Sequence, residues 1–381
     1  MRVYLDNAAS TPLDPEVFEA MKPFMLEDFG NPSSTHAHGR KVRAAIESAR
    51  KKVAELLNCT PGEIIFTSGG TEADNAIITC AINTYKLKHA ISSPIEHHAV
   101  THTLDTLAKQ GIVELHHVKL DEKGHIDLSH LEELLKAYPN SLVSLMHANN
   151  EIGNILDLQR VSDLCNLYKA YFHSDTVQTM GHYKHDMKAL KVHGMAAAAH
   201  KFHGPKGVGF MYINKDKKIQ SFVHGGAQER NMRGGTENVY GIIGLAKALE
   251  ICYREMGEHE HYIKQIKSGM IEKLRENIPG ITFNGDSANL DRSLYTVLNV
   301  SLPESEENEM LLFNLDMKGI SASGGSACSS GASTGSHVLG AIYPNSQRGA
   351  VRFSFSKYNT SEEIDFVITK LTEIYKPLII N

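Results

Sequence analysis

The chain has 381 residues, 41% of them hydrophobic and 22% charged, a balance that fits a soluble globular protein with a large core rather than a disordered one. A formal charge of −5 argues against a surface that tracks nucleic-acid phosphates, and no stretch of about 18 apolar residues offers a bilayer span. The opening residues carry no charged region followed by an apolar one, so a cytoplasmic location is expected. At this length two domains sharing an interface are expected rather than one enlarged core.

From Val42 onward, Val42, Ala45, Ile46, Ala49, Val53, Leu56 and Leu57 recur at helical spacing, and the run 64–66 that follows reads as a short strand. The alternation continues with a helix after Thr71, a strand near 89–92, a helix from about His98, and strands near 113–118 and 142–146. That rhythm predicts an α/β domain with a mostly parallel sheet flanked by helices. A long helical stretch near 236–270 leads to strands near Ile281 and Val297 and a closing helix from about Ser361. Thr360 with Glu363 forms a capping box for that helix, and Ile364, Val367, Leu371 and Ile374 line one face of it. We expect a large domain over 14–257 and a smaller α+β domain from 1–13 and 258–381.

Five cysteines, Cys59, Cys80, Cys165, Cys252 and Cys328, show neither a paired CxxC spacing nor zinc-ligand spacing, which excludes a disulfide framework and points away from structural zinc. The first four lie in helix-like sequence beside apolar residues, where a small buried thiol is expected. Cys328 sits instead in SASGGSACSSGASTGS, residues 321–336, whose composition predicts a mobile loop. A thiol on such an arm is able to travel to a substrate.

Three further features carry chemistry. Ser68-Gly69-Gly70-Thr71-Glu72 follows a strand and opens a helix, so its backbone N–H groups suit a phosphate; alone, such a turn is more often chain punctuation than a phosphate site. Asp175 falls at the carboxyl end of a strand, the edge where open α/β sheets bind ligands, although an aspartate there also suits a helix cap. Lys201 follows the small apolar run 196–199, where partial desolvation lowers an amine's pKa and favours covalent chemistry with carbonyls. A lysine for the aldehyde, an aspartate for the pyridine nitrogen and a helix start for the phosphate together describe a site for pyridoxal 5'-phosphate.

Nine segments in chain order then resemble the group I (NifS/IscS-type) cysteine desulfurases of the class V aminotransferase family. They are YLDNAA at 4–9, GNPSS at 30–34, TSGGTEADN at 67–75, EH at 96–97, NNEIG at 149–153, HK at 200–201, RGGT at 233–236, GSAC at 325–328 and VRFS at 351–354. The resemblance covers essentially the whole chain and implies the type I fold of PLP-dependent transferases.

Carried over position by position, the resemblance implies that Lys201 carries the cofactor and moves protons, and that Asp175 keeps the pyridine nitrogen protonated. Gln178 bonds the ring hydroxyl, and His97 stacks on the ring and acts as acid or base. Gly70, Thr71 and His200 hold the phosphate, with Thr236 reaching in from a second subunit of a homodimer. Asn150 and Arg352 grip the carboxylate of L-cysteine, and Cys328 takes its sulfur as a persulfide, leaving L-alanine. His98, by contrast, reads as a core histidine. The sulfur would pass to an acceptor such as an iron–sulfur scaffold or a tRNA-thiolation protein docking near the Cys328 loop.

One departure is Ala198, where relatives carry a serine or threonine whose hydroxyl bonds the phosphate; one charged hydrogen bond of about 1.5–3 kcal/mol is then missing. Rival readings are a selenocysteine lyase, a class V aminotransferase that dispenses with Cys328, and a non-catalytic sulfur-handling partner. A metallohydrolase is disfavoured, because His36 with His38 and His182 with His185 lack a carboxylate or cysteine partner set.

Overall fold

The computed structural model describes residues 1–324 and 335–379, with side chains as far as Tyr375. Cys328 and most of its loop therefore lie outside the described residues. Twelve strands are found among them: β1 Val3–Tyr4, β2 Ile64–Thr67, β3 His89–Ser92, β4 Glu114–His117, β5 Leu142–Ser144, β6 Tyr171–Asp175, β7 Gly194–Ala198, β8 Gly209–Ile213, β9 Thr282–Phe283, β10 Val297–Leu302, β11 Ile320–Ser321 and β12 Gly349–Ser354. The helices are α1 Pro15–Leu26, α2 Ala37–Leu56, α3 Gly70–Tyr85, α4 His98–Lys109, α5 Leu128–Ala137, α6 Leu158–Leu167, α7 Met187–Leu190, α8 Val239–Asn277, α9 Leu311–Met317, α10 His337–Ile342 and α11 Ser361–Ile379.

Strands β2 to β8 form one seven-stranded sheet in the order β2-β8-β7-β6-β5-β3-β4. Only β8 runs against its neighbours, so the sheet is mostly parallel, as the alternating pattern predicts. Both faces are buried, and the two-residue period of a strand divides its side chains between them. Phe66, Phe172, Met195, Ala197, Phe210 and Tyr212 enter one core, packed by α1, α2, α6 and the first half of α8. Ile65, Tyr171, Ala196, Met211 and Ile213 enter the opposite core, with Ala73, Ile77 and Cys80 of α3 and Val100 and Leu104 of α4.

A separate core surrounds the three-stranded antiparallel sheet β12-β10-β9. Its strands β10 and β12 pair over six residues, from Val297 with Ser354 to Leu302 with Gly349. The amino terminus belongs to this core: β1 pairs in parallel with β11, and Val3 and Leu5 are buried among Ile320, Phe353 and Tyr375. Helix α8, at 39 residues about 58 Å long, joins the two regions. Ile242, Leu245 and Leu249 of its first half serve the sheet core, while Ile263, Met270 and Leu274 serve the other.

Two expectations need correction. The helical pattern near 236–270 begins later and ends later, because Asn238 caps Gly241 N–H and starts α8 at Val239, leaving Thr236 outside it. Cys59 is not helical: α2 ends at Leu56, and Asn58 takes φ of +53° to turn the chain. The expected capping box of α11 is present, with Thr360 N–H donating to Glu363 at 3.1 Å and Glu363 N–H to Thr360 at 3.3 Å.

Candidate active site

The carboxyl ends of β2, β3, β5, β6 and β7 open onto a cavity of about 210 Å³. It is lined by Ala8, Ala9, Gly70, Thr71, Asp74, His97, Met146, Asn150, Asp175, Val177, Gln178, Ala198, His200, Lys201 and Arg352. Every candidate cofactor or substrate residue named from the sequence is thus gathered here, apart from Thr236 and Cys328. Thr236 is exposed in a separate depression with Ser68, Arg233 and Asn238.

Helix α3 begins at Gly70, and Gly69 before it supplies no side-chain cap, so first-turn N–H groups stay available to an anion. Glycine is required at 70 for space: a Cβ there would lie 2.6 Å from Val177 Cγ2 and 3.7 Å from Ala198 Cβ. Across the cavity Lys201, half-buried in the short turn after β7, donates from Nζ to the carbonyls of Ala8 at 2.5 Å and Ala9 at 2.9 Å. Gln178 Nε2 also donates to Ala8 O, at 3.0 Å.

Asp175 closes β6, its Oδ1 accepting from Val177 N–H at 2.8 Å. Burial pushes its carboxyl up, against the pull of His97, the Val177 N–H and Lys201. Asp74, one turn into α3, is raised further by burial, by Asp175 and by Glu96. Buried acids placed together favour a cationic group between or beside them. The protonated ring nitrogen of pyridoxal phosphate is such a group.

His97 is the N-cap of α4: its Nδ1 accepts from Ala99 N–H at 3.1 Å. Burial lowers its pKa, so the ring is neutral at pH 7 with its proton on Nε2. His98, expected in the core, is instead half-buried at the rim, stacked on His102 at 4.7 Å and beside His337 at 4.4 Å. His200 is also neutral, held near 4 by burial and by Lys201 and Lys206.

Arg352, on β12, is 1% exposed. Its Nη1 donates to Asn150 O at 2.9 Å and its Nη2 to Asp6 Oδ1 at 2.8 Å, while Nε has no hydrogen-bond partner among the described residues. A buried guanidinium with an unmatched donor suits a ligand carboxylate. Residues 6–9 form a hub that sequence reasoning left without a role: Asp6 orients Arg352, and Ala8 and Ala9 hold Lys201. Their only signal was the YLDNAA motif, and Asp74 likewise lay unremarked inside TSGGTEADN.

The described ends of the Cys328 segment are fastened at this rim. Ser323 donates to Asp6 Oδ1 at 2.9 Å, and Ser336 donates to the buried Glu151. His337 contacts Glu96 O at 2.9 Å. The other four cysteines are unsuited to nucleophilic work. Burial pushes Cys80 up to about 11 and Cys59 and Cys252 to about 12, and raises Cys165 as well.

Comparison with known proteins agrees with this geometry. The model of the aminotransferase class-V family matches residues 3–367. The chain is 43% identical to cysteine desulfurase IscS of Dictyoglomus turgidum, over 99% of this chain and 95% of the relative. The solved structure of a NifS-like protein superposes with a TM-score of 0.91 at 37% identity, covering 99% of this chain and all 100% of the other. A structure of SspA in complex with cysteine superposes at 0.81 with 29% identity, covering 94% and 100%. Sheet order, pocket and sequence agree: the chain belongs to the class-V aminotransferase family.

Proposed function

We propose that this protein is a pyridoxal-phosphate-dependent cysteine desulfurase. The observation that carries the reading is the single cavity in which Lys201, Asp175, His97 and an under-bonded Arg352 converge. Its resemblance to cysteine desulfurase IscS over nearly the whole chain and to a structure holding cysteine supports the same substrate.

When bound, pyridoxal phosphate supplies an electron sink that stabilises negative charge at the substrate's α-carbon. The α3 amino terminus at Gly70 and Thr71, with His200, holds the phosphate, and Gln178 holds the ring hydroxyl. Asp175 keeps the ring nitrogen protonated. Lys201 would hold the cofactor covalently, and its amine, oriented by the Ala8 and Ala9 carbonyls, would take the proton from the substrate's Cα. Arg352 and Asn150 fix the substrate carboxylate. His97, its Nδ1 occupied by the Ala99 N–H, offers the Nε2 proton as acid.

Cys328 then attacks the substrate sulfur as a thiolate. The substrate Cβ–S bond breaks, an S–S bond forms on Cys328, and protonation of the carbon skeleton leaves alanine. Cys328 lies five positions beyond Ser323 at the rim, and an extended chain covers at most about 18 Å over that length. This reach supports entry into the cavity and presentation of the persulfide to an acceptor outside. Thr236, exposed and not among the residues lining its own chain's Lys201 cavity, is assigned to the site of a second copy in a homodimer.

The deciding experiment measures alanine and sulfide release from L-cysteine, with pyridoxal phosphate and a thiol reductant, for the native chain and Cys328→Ala. Release falling to background in the variant, with the bound cofactor's visible absorbance retained, is the expected result. Equal release in both would replace this reading with a lyase or aminotransferase that works without Cys328, and no release in either would favour a non-catalytic sulfur-handling role.

A further inference from the structure

At the outer edge of the large sheet, away from the cavity, three side chains of two neighbouring strands converge. Strands β3 and β4 pair in parallel with His89 opposite Glu114 and Ile91 opposite His116. Paired residues share a face, as do residues two apart, so His89, Glu114 and His116 all project on the same side. His89 Nδ1 lies 3.2 Å from His116 Nε2 and 3.6 Å from Glu114 Oε2, and His116 Nε2 lies 3.8 Å from Glu114 Oε1.

Ligands about 2.1 Å from a tetrahedral zinc ion lie about 3.4 Å from one another; the two imidazole nitrogens, 3.2 Å apart, are close to that spacing, and one ligand atom from each of the three residues lies within 4.8 Å of the others. Two imidazoles and one carboxylate form a set preferred by zinc-like transition cations over magnesium or calcium. The site is also preorganised. Tyr138, just beyond α5, stacks on His116 at 3.9 Å and 17° and covers His89 at 4.5 Å. Among the described residues, no other group of three histidine, cysteine or carboxylate side chains brings its ligand atoms this close together.

We propose that His89, Glu114 and His116 bind a zinc-class divalent cation, with water completing the shell, and that the ion pins the edge strand β4 to β3. Strand β4 has a hydrogen-bonded neighbour on one side alone, the position where a sheet most needs an extra tie. None of the three residues lines the catalytic cavity, so the ion acts on stability rather than on turnover. The spacing hid the site from sequence reasoning, since Glu114 lies 25 positions after His89.

The test is calorimetric titration of zinc chloride into the cofactor-loaded, chelator-stripped chain without L-cysteine, so that no sulfide removes the metal. Native protein should bind one equivalent tightly, and its melting temperature should rise with zinc. Loss of an outer-shell partner alone weakens metal sites about 10–100-fold, so His89→Gln and Glu114→Gln should each weaken binding at least tenfold and remove the thermal shift. Glu114 is exposed, so its variant stays informative even if His89→Gln misfolds. Cys328→Ala should bind as native does. Undiminished binding in both ligand variants, loss of binding in Cys328→Ala, or no tight equivalent in the native chain would each overturn the proposal.

Discussion

Replacing Arg352 with lysine tests how the cavity recognises its substrate. The guanidinium already spends Nη1 on Asn150 O and Nη2 on Asp6 Oδ1, and its remaining Nε is unmatched. A lysine keeps the charge but has one nitrogen, which cannot serve Asn150, Asp6 and a substrate carboxylate in one plane. A hydrogen bond to a charged group is worth about 1.5–3 kcal/mol, equivalent to a loss of roughly 12- to 160-fold in kcat/KM. The carboxylate is gripped alike before and during reaction, so the loss should appear chiefly as a higher KM. The assay is alanine formation over a range of L-cysteine concentrations, repeated with L-cysteine methyl ester, whose neutral ester cannot form the ion pair. Native protein should prefer the free acid strongly, and Arg352→Lys should narrow that preference. An unchanged acid-to-ester ratio would refute the assignment, even if overall activity fell.

Two other perturbations follow from buried groups. Glu96 accepts from Ser93 and from Met146 N–H, and burial raises its carboxyl to about 8. The stabilising contribution of a carboxyl so raised is complete below its unfolded pKa near 4.3 and is lost as pH climbs through 8, at up to about 1.4 kcal/mol per pH unit. Glu96→Gln does not titrate, so its urea midpoint should gain on that of the native chain between pH 5 and 8; parallel midpoints would contradict the burial argument. Ala198→Ser places a hydroxyl in the cavity wall facing the start of α3. One added charged hydrogen bond should tighten pyridoxal phosphate about tenfold in a fluorescence titration, and equal or weaker binding would show that the hydroxyl does not reach the phosphate.

What the sequence disclosed, and what it hid, follow from the range of the interactions involved. Periodicity is local, so the starts of α4 and α11 and both ends of β3 were legible. Strand β7 was not read as a strand, because its run of alanines lacks the branched and aromatic residues that mark one. It is a strand because β6 and β8 pair with it on both sides and because small side chains leave room for the cavity beside it. Asp175 and the turn at Gly70 were legible because each sits in a recognisable strand-end or helix-start context, and Lys201 because it follows a small apolar run. The hub at residues 6–9 was not, since its partners Lys201 and Arg352 are distant in sequence and meet it only after folding. The same holds for the metal-ligand triangle, which exists only once β3 and β4 pair.

The site's chemistry also explains why the folded chain should favour its ligands. Asp74, Asp175 and Glu96 are carried at raised pKa in one region, and Arg352 Nε is buried without a partner. Each of these arrangements costs stability in the empty chain. Under the proposed function, a cationic ring nitrogen beside Asp175 and a carboxylate against Arg352 would supply the missing partners. Polarity left unmatched by folding is therefore available as binding free energy. Arg352 comes from β12 in one core and Lys201 from the end of β7 in another. Under the proposed function, a substrate that satisfied both would be fixed by its carboxylate at one wall with its Cα toward the amine at the other, and its sulfur would face the rim where Ser323 and Ser336 are held.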